Sequence, residues 1–417
     1  MGALKVTIKP EPFVALLSRL ALLCLFSFCI NAEAIETPEF SGLLSVTGAG
    51  AYRENNPENN RENNPENTLS SINQQDLRLM LDGQANNFSY EIHALANAIE
   101  LNNITNAAFH TKKLFQVDDL KYTFIKQENN NSYYNAYTKL DRLNIKGNFK
   151  SIDFRLGRQA ISWGVGRLWQ PTDIFGAFDA NDIVRDYKKG IDVLDLNYYP
   201  NSFSNLNLVY AFPTGNGLNA GIRYLTPVGN KSYLSILTAN IYNNVIVGGS
   251  LETDWRGAGI RLESIAFYSK ENNRYRFYGI VGFDYQFSNE WLLIAEIYYN
   301  SLGANNTNEF SDVLSTKYFQ AGLLKQLSQQ LAAVILQKNV TPLLSVNYLL
   351  ISSLLTQNGI SSSSLSQLSA IYSISDESDI WLTVLMTNGA KMNNMGVPQS
   401  EFGDTPLTAS VLFRLYF

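Results

Sequence analysis

The feature that most constrains this chain is a period of two that runs to its last residue. Leu407, Ala409, Val411, Phe413, Leu415 and Phe417 alternate with Thr408, Ser410, Leu412, Arg414 and Tyr416. Alternation of this kind puts one set of side chains on one face of an extended strand. The rhythm recurs upstream. Leu206, Leu208, Tyr210 and Phe212 share a face, as do Tyr275, Phe277, Val281, Phe283, Tyr285 and Phe287. Across a tight turn at Ser288-Asn289-Glu290, Trp291, Leu293, Ala295, Ile297 and Tyr299 return. Each segment is about ten residues long, the length of a strand tilted across a bilayer.

The N-terminus stands apart. Lys5, Lys9 and Arg19 precede an apolar run from Leu20 to Ile30, and Ala32-Glu33-Ala34 follows as an A-x-A cleavage pattern. Residues 1–34 therefore read as a secretory signal peptide, too short for a stable span. Bulky Leu23 and Phe28 ahead of Cys24 and Cys29 argue against a lipoprotein. Residues 35–417 are expected to form the folded unit. Both cysteines fall in the leader, so that unit can hold no disulfide, thiolate nucleophile or Cys-ligated metal. The whole chain carries a formal charge of −5, a mildly acidic balance that argues against nucleic acid as a partner. Beyond the leader no run of eighteen apolar residues exists, which excludes helical spans. There are 23 Tyr and 23 Phe. Alternation, abundant aromatics and no helical span together suit an all-β transmembrane barrel, antiparallel and up-and-down, with apolar residues toward lipid and aromatic belts at the interfaces. A large soluble β-sandwich or propeller is the competing architecture.

Taken in order, the segments predict about eighteen strands, with sixteen as the fallback, since single-chain bacterial barrels have even numbers. Phe40 to Arg53 is a first strand. Arg53-Glu54-Asn55-Asn56-Pro57-Glu58-Asn59, repeated from Arg61 to Asn67, has nothing apolar to bury and reads as an external loop. Asp76 to Gln84 and Phe88 to Ala98 form a hairpin. Ile99 to Tyr134 reads as a long external loop with one alternating piece, Leu120 to Phe124. Lys317 to Lys338 is either a strand plus a loop or a hairpin turning at Ser328-Gln329-Gln330. Gly389 to Asp404 is another long polar loop.

Lys150 to Tyr199 breaks the rhythm. Ile152, Phe154 and Leu156 alternate with Asp153, Arg155 and Gly157, and alternation resumes at Gly190. Between them stands a dense insert, 159–189, too apolar for a free loop and too charged for lipid. Long loops of this kind are often functional. The expected arrangement is a loop folded into the barrel lumen that narrows it. Arg155, Arg158, Arg167, Asp173, Asp179, Asp182, Arg185 and Asp195 are the expected constriction charges, because facing charges in a narrow pore select by sign. Trp163, Gly164, Gly166 and Trp169 are the expected anchors; Trp163 and Trp169 stacking on sugar rings is the alternative. A surface loop packed by its own aromatics, or salt bridges that merely fix the loop to the wall, would account for the same residues.

The block Gly157-Arg158-Gln159, Trp163-Gly164-Val165-Gly166 and Trp169-Gln170-Pro171-Thr172-Asp173 resembles one found in a group of porin-like outer-membrane proteins of Gram-negative bacteria. The terminal Phe417 on a strictly alternating strand resembles the barrel-closing signature that the barrel assembly machinery recognises. The resemblance implies a location in the outer membrane, contact with lipid and lipopolysaccharide, and passage of small hydrophilic solutes; it implies no particular substrate. A substrate-specific transporter for hydrophobic or oligosaccharide substrates is one rival, and a closed structural or adhesive barrel is another. A homo-oligomer is allowed. The two histidines, His93 and His110, stand without a G-x-S-x-G or H-E-x-x-H motif, so no enzyme, metal or cofactor is expected.

Overall fold

The computed structural model describes residues 36–53, 68–103, 115–118, 120–129, 132–176, 186–212, 217–269, 273–316, 324–354, 363–393 and 397–417. The expected leader and the doubled Arg-Glu-Asn-Asn-Pro-Glu-Asn loop lie outside them. The strands are β1 (Glu39–Arg53), β2 (Thr68–Ala85), β3 (Phe88–Asn102), β4 (Lys121–Asn129), β5 (Ser132–Phe149), β6 (Ile152–Gln159), β7 (Ile191–Asn201), β8 (Ser204–Ala211), β9 (Asn219–Val228) and β10 (Ser232–Ile241). They continue as β11 (Asn244–Trp255), β12 (Ala258–Ser269), β13 (Arg274–Gln286), β14 (Leu292–Asn300), β15 (Gln330–Thr341), β16 (Leu344–Ser353), β17 (Ser364–Ser375), β18 (Ser378–Asn388) and β19 (Leu407–Tyr416).

All pair antiparallel, and β1 pairs with both β2 and β19, so the sheet closes on itself. The closed wall has 18 strands, as expected from the segment count. β4 is the additional one. It pairs only with the far half of β5, from Lys121↔Lys139 to Asn129↔Ser132. β6 takes the near half of the same edge, from Leu143↔Arg158 to Phe149↔Ile152. The alternating piece inside the expected loop thus continues the wall beyond the short β6. Among the described residues the Lys317–Lys338 region yields one strand, β15, and residues 324–327 ahead of Ser328 form no hairpin arm. The preceding loop instead holds a short helix, α1 (Phe310–Ser315), and buries Leu324 and Leu327.

Turn chemistry sorts the two ends. The connections at the end that carries Glu39 and Phe417 are short. At one of them Arg256 and Gly257 have φ of 55° and 85°, the pair of positive values that a tight hairpin matching strand twist requires. The long connections lie at the other end, the distribution of an outer-membrane barrel.

Register decides the faces. Ile236, Val245, Val247, Val281, Ile297, Leu382 and Val411 point outward and are exposed. Ser250, Arg261, Glu263 and Glu296 point inward and are buried. Outward aromatics gather near the short turns, as at Phe40, Phe88, Phe149 and Trp255, and near the long loops, as at Tyr52, Tyr268 and Tyr275. An apolar outer band between two aromatic belts is what a bilayer covers. Among the described residues no helix is long and apolar enough to cross a membrane.

Phe417 sits at the short-turn rim. Gly42 N–H donates to Phe417 O at 2.7 Å and Phe417 N–H to Gly42 O at 3.1 Å. Gly42 lies beneath the Phe417 ring, and a Cβ there would collide with it. Deleting Phe417 removes two closing hydrogen bonds, each about 1 kcal/mol net, and the ring that fills the rim. Slower insertion and a lower outer-membrane level are expected. Unchanged heat-modifiable mobility and unchanged abundance would count against a closing role.

Candidate functional site

Between Gln159 and Ile191 the chain leaves the wall. Gly164, Gly166 and Pro171 interrupt any strand, and the apolar residues among them must find cover. They find it on the inward face of the barrel. The Trp163 indole N–H donates to Asn207 Oδ1 on β8 at 2.6 Å. The ring lies over Gly221 of β9, where a Cβ would meet it. The Arg223 guanidinium sits 5.7 Å from the ring centroid and donates to Trp163 O at 3.2 Å. Ile161, Trp163, Ile174 and Phe175 join Val193, Val209, Leu237 and Ile265 of the wall in one buried cluster. Leu168 and Trp169 join Ile280, Tyr298, Leu331 and Ile351 in a second. Trp163 and Trp169 are 2% and 4% exposed, so neither ring is open for stacking on a solute. They anchor the loop.

Two wall carboxylates hold its backbone. Glu263 of β12 accepts from Val165 N–H at 2.8 Å and Gly166 N–H at 2.9 Å through one oxygen. Through the other it accepts from Thr172 N–H at 2.6 Å and the Thr172 hydroxyl at 2.7 Å. Glu296 of β14 accepts from the N–H groups of Arg167, Leu168 and Trp169, the last two at 3.0 and 3.1 Å. Consecutive N–H groups converging on an oxyanion form an anion nest. Here the wall supplies the anions. A Cβ on Gly166 would fall against Trp169 O and Ile280, and one on Gly164 against Gln170. Both glycines therefore serve close approach.

Neither glutamate was expected from the sequence. Each occupies the inward position of a strand that is otherwise apolar outward, as in Leu262-Glu263-Ser264 and Ala295-Glu296-Ile297. That parity is the only available signal. Their partners are backbone groups, which leave no mark in a sequence.

The expected charges divide into three sets. Asp173 and Lys188 form a buried ion pair. Asp173 also accepts from Trp163 N–H at 3.1 Å, and Lys188 donates to Ile161 O. Burial pushes the Asp173 carboxyl up and the Lys188 ammonium down, while their mutual attraction opposes both shifts. Asp173, 4% exposed, ties the loop to itself and is not a pore-facing charge. Arg158 also departs from expectation. Its register places it on the face of Leu156 and Ile152, which are 48% and 50% exposed on the outside. It survives there because it is 2% exposed and fully paired. Its Nε and Nη2 bind Asp192 bidentately at 2.7 and 2.8 Å. It also donates to Leu140 O at 3.1 Å and to Asp118 O. Val117 N–H binds the same aspartate at 2.8 Å. Arg158 thus seals the seam where β6 stops and the segment leading to β4 takes over.

The remaining expected residues face inward or lie outside the described residues. Arg155 points inward opposite Asp195, 3.5 Å from Glu91. Asp195 accepts from Asn207, the residue that holds Trp163. Arg167 is exposed. Asp179, Asp182 and Arg185 lie outside the described residues. A further tether lies across the lumen. Asp186 pairs with Arg414 of β19, which also binds Asp379 at 2.7 Å. The Tyr187 ring lies 4.1 Å from the Arg78 guanidinium of β2. Arg78 and Arg142 each donate to Asp141 at 2.8 Å. The loop is therefore held by strands from β8 to β16 at one end and by β2 and β19 at the other.

No family model matches the sequence, and no curated protein does. Solved structures share the fold. The outer membrane protein OprD from Pseudomonas aeruginosa aligns with a TM-score of 0.55 at 8% identity, covering 93% of this chain and 95% of that one. Pseudomonas aeruginosa OccD3 (OpdP) aligns at 0.53 and 10% identity, covering 93% and 92%. Acinetobacter baumannii OccAB3 aligns at 0.53 and 11% identity, covering 91% and 99%. At such identities the likeness is one of fold.

Proposed function

We propose that this barrel is an outer-membrane channel of a Gram-negative bacterium, through which small hydrophilic solutes diffuse with weak selectivity. One observation carries the proposal. Beside the clasped loop, the inward face of β2, β3, β6 and β7 carries partly exposed charges of both signs, Asp76, Glu91, Arg155 and Asp195. Such a surface is stable inside a barrel when water or polar solutes fill the space, and charges of both signs across it orient them. OprD, whose fold this barrel shares, is an outer membrane protein, which supports the location.

The test is swelling of liposomes that carry the purified barrel in uncharged sugars of increasing size. Swelling that falls with sugar size is expected. Intact liposomes with folded protein and no swelling in any sugar would leave a closed barrel. Within this reading Arg155 on the wall and Arg167 on the loop contribute positive charge, and Asp195 contributes negative charge. Replacing Arg155 and Arg167 by glutamine is expected to raise the cation-to-anion permeability ratio by a small factor, about twofold, since rings of pore charge select by sign. Reversal potentials in a salt gradient measure it, and an unaltered ratio would remove both arginines from the constriction.

A further inference from the structure

We infer that Glu263 and Glu296 set the bore of the channel by acting as the anions of a nest formed by the loop's own backbone. The inference rests on the channel reading and names what fixes its narrow section. Its groundwork is the stoichiometry of donors. Six backbone N–H groups, those of Val165 to Trp169 and Thr172, reach two buried carboxylates, and the Thr172 hydroxyl adds a seventh donor.

Both glutamates are 1% exposed, so water cannot stand in for the loop. An ionised carboxylate is an acceptor only, and it can meet several N–H groups at once. A glutamine in its place offers one acceptor oxygen and turns an NH2 toward donors. Alanine leaves the N–H groups converging on a void. Either change removes what draws this backbone to β12 and β14. The barrel wall itself does not depend on these contacts, because its closure rests on strand-to-strand hydrogen bonds. Position of the loop, and hence the open cross-section, is separable from barrel stability. Glu263 and Glu296 are positioning residues in this sense.

A vacated nest should also accept a small carboxylate from solution, which a merely space-filling residue would not predict. The experiment uses the full barrel carrying Glu263→Ala and Glu296→Ala, checked for heat-modifiable mobility, in planar bilayers and in amide hydrogen exchange. Expected are a single-channel conductance at least twofold above wild type, loss of exchange protection at residues 165–169 and 172, and reversal of both by acetate. Wild-type conductance and protection in the folded variant would overturn the inference. So would widening and lost protection that acetate leaves unchanged, since the glutamates would then be fillers and not anions. If the alanine pair fails to insert, the isosteric pair Glu263→Gln and Glu296→Gln carries the same readouts without the rescue. If wild type passes no current, the channel reading falls, and amide exchange still decides whether the two carboxylates hold the loop.

Discussion

Replacement of Arg158 by alanine is expected to destabilise the barrel by about 3–5 kcal/mol, the cost of leaving one member of a buried ion pair without its partner. Asp192 would keep Val117 N–H and lose two charge-assisted hydrogen bonds. Leu140 O and Asp118 O would lose their donor as well. The seam between β6 and the segment leading to β4 would then carry an unpaired carboxylate next to the apolar outer band. The midpoint of urea unfolding in detergent micelles measures the effect. Two comparisons make it specific. Arg155→Ala should cost under about 1 kcal/mol, because its pair with Glu91 is long and about a third exposed. Arg158→Met with Asp192→Leu should recover most of the loss, since replacing both members of a buried pair by apolar residues is often neutral. If Arg158→Ala unfolds at the wild-type midpoint, the seam is not held by this pair.

Gly166→Val is expected to displace the loop from the wall and raise single-channel conductance at least twofold with the barrel intact. The cause is steric. A Cβ at Gly166 falls against Trp169 O and the Ile280 side chain. Relief requires the turn from Val165 to Trp169 to open, and that turn presents its N–H groups to both glutamates. Overpacking in a tight site costs about 1–3 kcal/mol, and here lost N–H contacts add to it. The strand ladder is untouched, so heat-modifiable mobility should persist. Gly176→Val is the matched control: nothing lies within 4 Å of a Cβ there. Gly176 has φ of 144°, so valine strains the backbone there without touching the clasp. Wild-type conductance in folded Gly166→Val would mean that the turn yields without releasing the loop.

The sequence and the fold agree where one physical rule dominates. A wall one residue thick, with one face apolar, obeys strict alternation. Strand parity therefore read correctly at β13, β14 and β19, and the count of eighteen followed. The hairpin proposed at Ser328-Gln329-Gln330 failed because those polar residues end a packed loop with Leu324 and Leu327 beneath it. The insert was visible by its interruption of the rhythm, and its two tryptophans by their size. Its charges were not separable by type. Arg155 and Arg158 differ by three residues, and Asp173 stands in the same block, yet one faces inward, one plugs a seam and one closes the loop on Lys188. What separates them is the extent of β6, which stops at Gln159, and the arrival of Val117 and Asp118 from a distant segment. Such contacts follow from topology and leave no local trace. Glu263 and Glu296 were hidden for a related reason, since a carboxylate that binds backbone N–H groups needs no complementary side chain.

The proposed channel is a water-filled barrel narrowed by a loop fixed to its wall. Current through single purified barrels in a planar bilayer tests it most directly. Discrete, uniform steps are expected, linear in voltage near zero. Their conductance should be well below that of the Glu263→Ala, Glu296→Ala barrel. Folded, inserted barrels that give no steps in either form would contradict the account.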